Sequence, residues 1–234
     1  MFCINCGTSL PEGANFCFKC GCDLRNLAQS PGTSHSHIYA PRVGKYITFG
    51  SYPQQNGSSR EPIEWLVLEV NGDEAFLVSR YGLDCKQYHH EYVSMTWENC
   101  DLRRWLNHDF LKDAFSPEDQ RRIMLSEVFN DDNREYRTRG GNDTRDRVFC
   151  LSLAEAERYF KNDAERRCRP TALAKAHGAY FNNDGYCWWW LRSPGNGQNR
   201  ASIVRTDGAL DPYGDYVCNA HNAVRPALRL IWNR

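Results

Sequence analysis

Apolar positions along the first half of the chain come in short, dense runs rather than long stripes. Tyr46, Ile47 and Phe49 predict a first strand that ends at the Gly50-Ser51-Tyr52-Pro53 turn. Residues 63–70 are nearly all apolar, the pattern of a strand covered on both faces. Asn71-Gly72-Asp73 then reads as a hairpin turn, with residues 75–78 as the returning strand. Further on the period changes. Leu102, Trp105, Leu106 and Phe110 recur at three- and four-residue steps, so one helix face is buried, with Trp97 and residues 99–101 as its approach and cap. Ser116-Pro117-Glu118 is a second helix start, with a capping serine, proline at the first helical position and an acid in the first turn.

Val128 and Phe129 predict a short strand, and residues 130–147, charged and broken by glycine, an exposed loop. Asp131, Asp132 and Asp143 in it lack the spacing of a calcium hand, which favours a solvated loop. Residues 148–151 form a buried strand. Ser152-Leu153-Ala154-Glu155 is a capping box opening a helix through about Asn162, with Leu153, Ala156, Tyr159 and Phe160 inward. A shorter helix, 171–177, ends at Gly178, with His177 placed to complement its terminus.

The stretch 187–232 is where recognition chemistry gathers. In an extended strand Trp188 and Trp190 face one way and Trp189 the other, and plain core accounts for two of the three. Arg192 at the end of such a strand needs a carboxylate or carbonyl partner. Ser193-Pro194-Gly195 turns the chain outward, residues 201–205 form a strand, and Thr206-Asp207-Gly208 a turn. Asn, Asp, Tyr and Arg on loops between rigid strands suit ligand recognition. The candidate binding residues are therefore Trp190, Arg192, Asn196, Asn199, Arg200, Asp211, Tyr213, Asp215, Asn219 and His221, with an ordinary polar hairpin as the alternative. Pro226 lacks an amide donor, so the last strand lies at a sheet edge or the gap falls between pairings.

Cysteine spacing adds a second unit. Cys3, Cys6, Cys17 and Cys20 follow C-x2-C-x10-C-x2-C, with Gly7 and Gly21 after each pair and Leu10-Pro11-Glu12-Gly13 turning between them. Each knuckle brings two thiolates to one ion, and four thiolates close the tetrahedron, so the expected Zn2+ is structural and leaves no open position. So short a module relies on metal for its stability. Cys22 is a spectator. The segment MFCINCGTSLPEGANFCFKCGCDL resembles the zinc-ribbon module found at the N-terminus of many bacterial proteins. The seven cysteines outside the four-ligand pattern, Cys22 among them, are scattered and odd in number, which fits reduced thiols in the cytoplasm. No apolar signal region follows Met1, and no run is long enough to span a membrane.

The organisation expected is a zinc ribbon over 1–25, a flexible linker over 26–42 rich in Ser, Gly and Pro, and one domain over 43–234. His35 and His37 in that linker read as solvated. Net charge is formally zero, and the arginines between 121 and 139 alternate with acids, which disfavours a nucleic-acid partner held by phosphate neutralisation.

The motifs ITFGSYPQ, IEWLVLEV, TWENCDLRRWLN, AFSPED, LSLAEAERYF, WWLRSPG and AVRPAL together resemble a bacterial family of uncharacterised, DUF6273-like domains often appended to zinc ribbons. More distantly, LSLAEAERYF, WWLRS and AVRPAL are similar to three framework positions of the formylglycine-generating-enzyme branch of the C-type-lectin-like fold. That resemblance implies a compact α+β domain with a long ligand-binding loop region, and does not by itself imply activity. The oxygen-dependent enzymes of that superfamily bind copper through paired cysteines. Here the candidates are Cys187 and Cys218 with His221, without the matching local motif. The favoured function is a non-enzymatic binding module for a protein, peptide or glycan. A formylglycine-generating-type or other thiol- or metal-dependent enzyme comes second, since no acid–base pair, P-loop or nucleotide fingerprint is visible. A nucleic-acid-associated ribbon protein comes third.

Overall fold

The structure, a computed structural model, describes residues 8–11, 14–20, 40–55 and 59–233. The chain divides into two compact units, Met1–His37 and Ile38–Arg234. In the first, Leu10 and Cys17 are buried with Ala14 packed against them, and the Ala14 amide donates to the Pro11 carbonyl at 3.3 Å. Cys3, Cys6 and most of the expected linker lie outside the described residues. Residues 42–45 belong to the larger unit, because Gly44 donates to the Val67 carbonyl and Val67 to that of Lys45. No helix among the described residues is long and apolar enough to cross a membrane.

The larger unit is built on two five-stranded sheets. The first comprises β1 (Tyr46–Pro53), β2 (Arg60–Asn71), β3 (Glu74–Ser79), β7 (Val148–Phe149) and β12 (Ala227–Ile231), in the order β1-β2-β3-β12-β7. The second comprises β4 (Asp84–Cys85), β8 (Trp189–Pro194), β9 (Arg200–Val204), β10 (Leu210–Tyr216) and β11 (Ala223–Val224), in the order β10-β9-β8-β11-β4. The β2–β3 hairpin turns at Gly72 as its sequence requires. The first strand does not end at Gly50. It continues to Pro53 through a register shift, and Gly50, at φ +68°, absorbs the bulge where Phe115 and the Ala114 carbonyl crowd its Cα. Pro226 does not mark an edge: β12 is paired on both sides, by β3 and β7, and the missing amide falls at the step from β11 to β12.

The apolar helix face expected from Leu102 to Phe110 is present as α1 (Asp101–Trp105), a π turn (Leu106–Phe110) and α2 (Leu111–Ala114). Leu102, Leu106 and Phe110 are buried. The wider turn aims Asn107 at the β7 strand, where its side chain donates to the Val148 carbonyl (2.9 Å) and accepts from the Arg147 amide (2.8 Å). The second helix, α3 (Pro117–Arg122), has the Ser116–Asp119 capping box. A third, α4 (Leu153–Tyr159), has the Ser152–Glu155 box and stops before Asn162, which caps a separate turn, α5 (Asp163–Arg166). The last is α6 (Ala172–Ala176), capped by the Thr171 side chain. His177 is the C-cap of α6, its amide donating to the Leu173 carbonyl at 2.9 Å, and its ring also reaches outward, Nδ1 lying 2.6 Å from Oδ1 of buried Asp84.

The stretch 130–147 is not simply an exposed loop. A two-stranded ribbon, β5 (Ser126–Val128) with β6 (Thr144–Asp146), passes through it. Asp146 is 1% exposed because its carboxylate collects Trp97 Nε1 (2.9 Å), Arg103 Nε (2.7 Å) and Thr144 Oγ1 (2.7 Å). Two of its acids fasten this segment: Asp143 accepts from the Asn130 amide and Asp132 from that of Gly140.

Candidate functional site

A cleft of about 230 Å³ opens between residues 131–135, the first turn of α4, and the strands β8 and β10. Three local interactions shape it. Asn133, 2% exposed, donates through Nδ2 to the Pro194 and Pro212 carbonyls, each at 2.8 Å, and its Oδ1 accepts from the Glu135 and Tyr136 amides. Ser193 Oγ accepts from the Leu153 amide at 3.0 Å, joining β8 to α4. Arg192, 3% exposed, pairs with Glu155 and also donates to the Cys150 carbonyl (2.9 Å) and the Phe129 carbonyl (3.0 Å).

The surface so formed is amphipathic. Leu153, Ala154, Leu210 and Pro212 give an apolar floor, and Asp131, Asp132, Glu135 and Glu157 rim it with Arg134 as the cationic member. Four carboxylates against one guanidinium make the rim net negative. Of the rim acids, Glu135 also accepts the Tyr136 phenol, a bond that raises the phenol's pKa above its ordinary value.

The residues expected to form a recognition surface divide into separate roles. Two are corrections. Trp190 is fully buried, its indole donating to the Lys86 carbonyl at 2.8 Å, and Arg192 is the internal strut just described, so neither is displayed. Around the hairpin, Asn196 takes the Tyr213 carbonyl through its amide, Asn199 donates to the Tyr92 hydroxyl (2.7 Å), and Asp211 accepts from the Tyr213 and Gly214 amides. Arg200 donates to the Gly214 carbonyl (2.8 Å) and lies over the Tyr216 ring at 3.6 Å, which straps β9 to β10. Asp215 gathers Asn219 (2.6 Å), Asn222 (2.7 Å) and His221 (2.9 Å). Tyr213 is exposed. The cleft draws on this stretch only through Ser193, Leu210 and Pro212; its other walls are 131–135 and 152–157, whose sequence carries the signals of a loop and a helix start. The cap at Ser152 was visible in sequence, but its role as a wall depends on Asn133 reaching two distant strands.

The thiols and the arginine-rich surface also find structural roles. Cys187 is buried and its thiol donates to the Cys168 carbonyl at 3.4 Å, Cys218 is half-buried, and with His221 they do not bring three ligand atoms within reach of one ion. A larger hollow of about 520 Å³ beside α1 carries Arg103, Arg104, Arg145 and Arg147. Arg103 is paired with Asp146 and Arg104 with Asp101, while Arg147 donates to the Gln120 carbonyl, so three of the four guanidinium groups are already engaged.

Two sheets, short capped helices and a side cleft define a mixed α+β domain carried with a separate cysteine-bearing N-terminal unit. The chain belongs to the Domain of unknown function (DUF6273) family, whose model matches residues 72–232. A zinc-ribbon domain model matches residues 2–24. No curated protein matches the chain. No solved structure matches it.

Proposed function

We propose that the protein is a non-enzymatic recognition module whose α+β domain holds a basic side chain of a peptide or protein partner in the 131–135/α4 cleft. The observation that carries this reading is the cleft's pairing of an apolar floor with an acidic rim. A lysine or arginine side chain has the complementary construction, an aliphatic stem with a cationic head. The volume of about 230 Å³ suits one such side chain better than a drug-sized ligand, which needs roughly 300 Å³ or more. In the same reading the N-terminal unit is a structural Zn2+ module with Cys3, Cys6, Cys17 and Cys20 as ligands. The zinc-ribbon match and the burial of Cys17 against Leu10 support it, and four thiolates supply fold stability rather than an open catalytic position. The C-type-lectin-like comparison is supported to this extent: Glu155, Arg192 and Arg225, from its three framework motifs, lie on packed neighbouring elements, with Arg225 4.9 Å over the Trp189 ring. Reduced, buried thiols accord with a cytoplasmic setting.

The test is a calorimetric titration of the full chain with short peptides bearing one central Lys or Arg, against matched peptides bearing norleucine. Saturable binding of the cationic peptides is expected, weakened by salt and by roughly tenfold in a Glu157→Gln/Asp131→Asn variant. Equal binding of the neutral peptides, or none of any, would discard the reading.

A further inference from the structure

His89, His90 and Glu91 are consecutive, and neither the cleft nor the hairpin uses them. They lie on the connection after β4, held in place on three sides. The Tyr88 carbonyl accepts from the Leu102 amide (3.1 Å), His89 donates its amide to the Val217 carbonyl (2.9 Å), and His90 donates its amide to Asp101 Oδ2 (3.1 Å). The two imidazole rings are 4.6 Å apart. Asp101 Oδ2 sits 3.0 Å from His89 Nδ1 and 2.5 Å from His90 Nδ1, and Glu91 reaches within 3.5 Å of His90 Nε2.

His89 is the informative member. It is 8% exposed, and its Nδ1 has no hydrogen-bond partner. Asp101 is near enough to count as an ion pair, but it approaches off the line a hydrogen bond requires, so proximity does not satisfy the nitrogen. A buried ring nitrogen left this way, beside a carboxylate oxygen shared with a second imidazole, calls for a missing partner, and an ion is one of the few that fits.

We propose that His89, His90 and Glu91 form a binding site for a divalent transition-metal ion of the zinc class, separate from the N-terminal ribbon, with Asp101 orienting the His90 ring. Imidazole nitrogens with carboxylate oxygens are the donor set such ions take, whereas calcium and magnesium require oxygen throughout. One ligand atom from each of His89, His90 and Glu91 lies within 4.8 Å of the others. Two donors on one ion at ~2.1 Å stand ~3.4 Å apart in a tetrahedron, so closure needs side-chain adjustments of roughly 1 Å. His90 and Glu91, each 63% exposed, are free to make that adjustment, while buried His89 supplies the fixed point. Arg104 holds Oδ1 of Asp101 at 2.9 Å while Oδ2 accepts from the His90 amide and faces its Nδ1, so this carboxylate orients the His90 ring rather than joining the ion. Bound by the two histidines and Glu91, the ion ties the 86–96 connection to the start of α1 through Asp101 and keeps a solvent-facing coordination position.

The full chain, its ribbon first saturated with Zn2+, is titrated with further Zn2+ by calorimetry while the histidine ring nitrogens are followed by NMR. One additional equivalent is expected, with the His89 ring shifted. A His90→Ala/Glu91→Ala variant, altered only at exposed positions, should bind that equivalent at least roughly tenfold more weakly with an unchanged melting temperature. A Cys3→Ser/Cys17→Ser variant should lose the ribbon's ion and keep this one. No additional equivalent up to millimolar Zn2+, or equal binding by the histidine variant, overturns the proposal.

Discussion

Arg192 shows how one side chain can look like a ligand-binding residue and act as a strut. At 3% exposure its guanidinium meets Glu155 and the carbonyls of Cys150 and Phe129, so three separate segments share one buried charge. Arg192→Ala leaves those acceptors unpaired and is expected to cost about 3 kcal/mol, measured by urea unfolding; Glu155→Gln, which keeps an acceptor, should cost less. Burial also closes off the thiols of the core and raises the pKa of all but one, since at buried Cys168 desolvation is outweighed by the Cys187 hydrogen bond, the Arg225 charge and the Gly82 amide, which lower it. Desolvation pushes the Cys85 and Cys100 thiols up to about 12 and that of Cys150 higher still. Thiolate is the reactive form. A thiol reagent at pH 8 should therefore label Cys218 readily within the larger unit, and Cys85, Cys100, Cys150, Cys168 and Cys187 only after unfolding, as read by mass spectrometry.

At the scale of elements, the hairpin and capping boxes obey their local residues, while the strands bend where distant packing demands it. Gly72 and Gly50 separate the two causes. Both sit at positive φ, but a Cβ at Gly72 meets nothing within 4 Å, whereas one at Gly50 would lie 2.5 Å from Phe115 and 2.7 Å from the Ala114 carbonyl. Gly72→Ala should cost about 1 kcal/mol, the left-handed penalty alone. Gly50→Ala adds a backbone clash that cannot relax cheaply and should cost at least ~2 kcal/mol, with the difference visible in thermal melts. The bulge at Gly50 was not legible from the sequence, because Gly-Ser-Tyr-Pro carries the same residues as a chain-reversing turn.

Across the whole molecule, each unit has its own apolar cluster, Leu10 and Cys17 in the first and the large core in the second. Stability of the larger unit should therefore be independent of ribbon metal. Chelation of the full chain, or its truncation to residues 43–234, is expected to leave the main calorimetric transition within about 2 °C of the untreated protein. A large downward shift would show that the two units fold as one.

The β2–β3 turn, the caps at Ser116 and Ser152 and the need of Arg192 for partners were determined by the sequence, because each follows from a residue and its near neighbours in the chain. The four-cysteine pattern likewise announced a ribbon by spacing alone. Tertiary structure decided the rest: that β12 lies inside its sheet, that Asp146 and Asn133 in a polar stretch are buried hubs, and that Ser193 and Pro212 meet Leu153 across a cleft. Those outcomes depend on which carbonyls and carboxylates arrive from 40 to 80 residues away. A polar residue whose partner is that distant looks, in one dimension, the same as one that faces water.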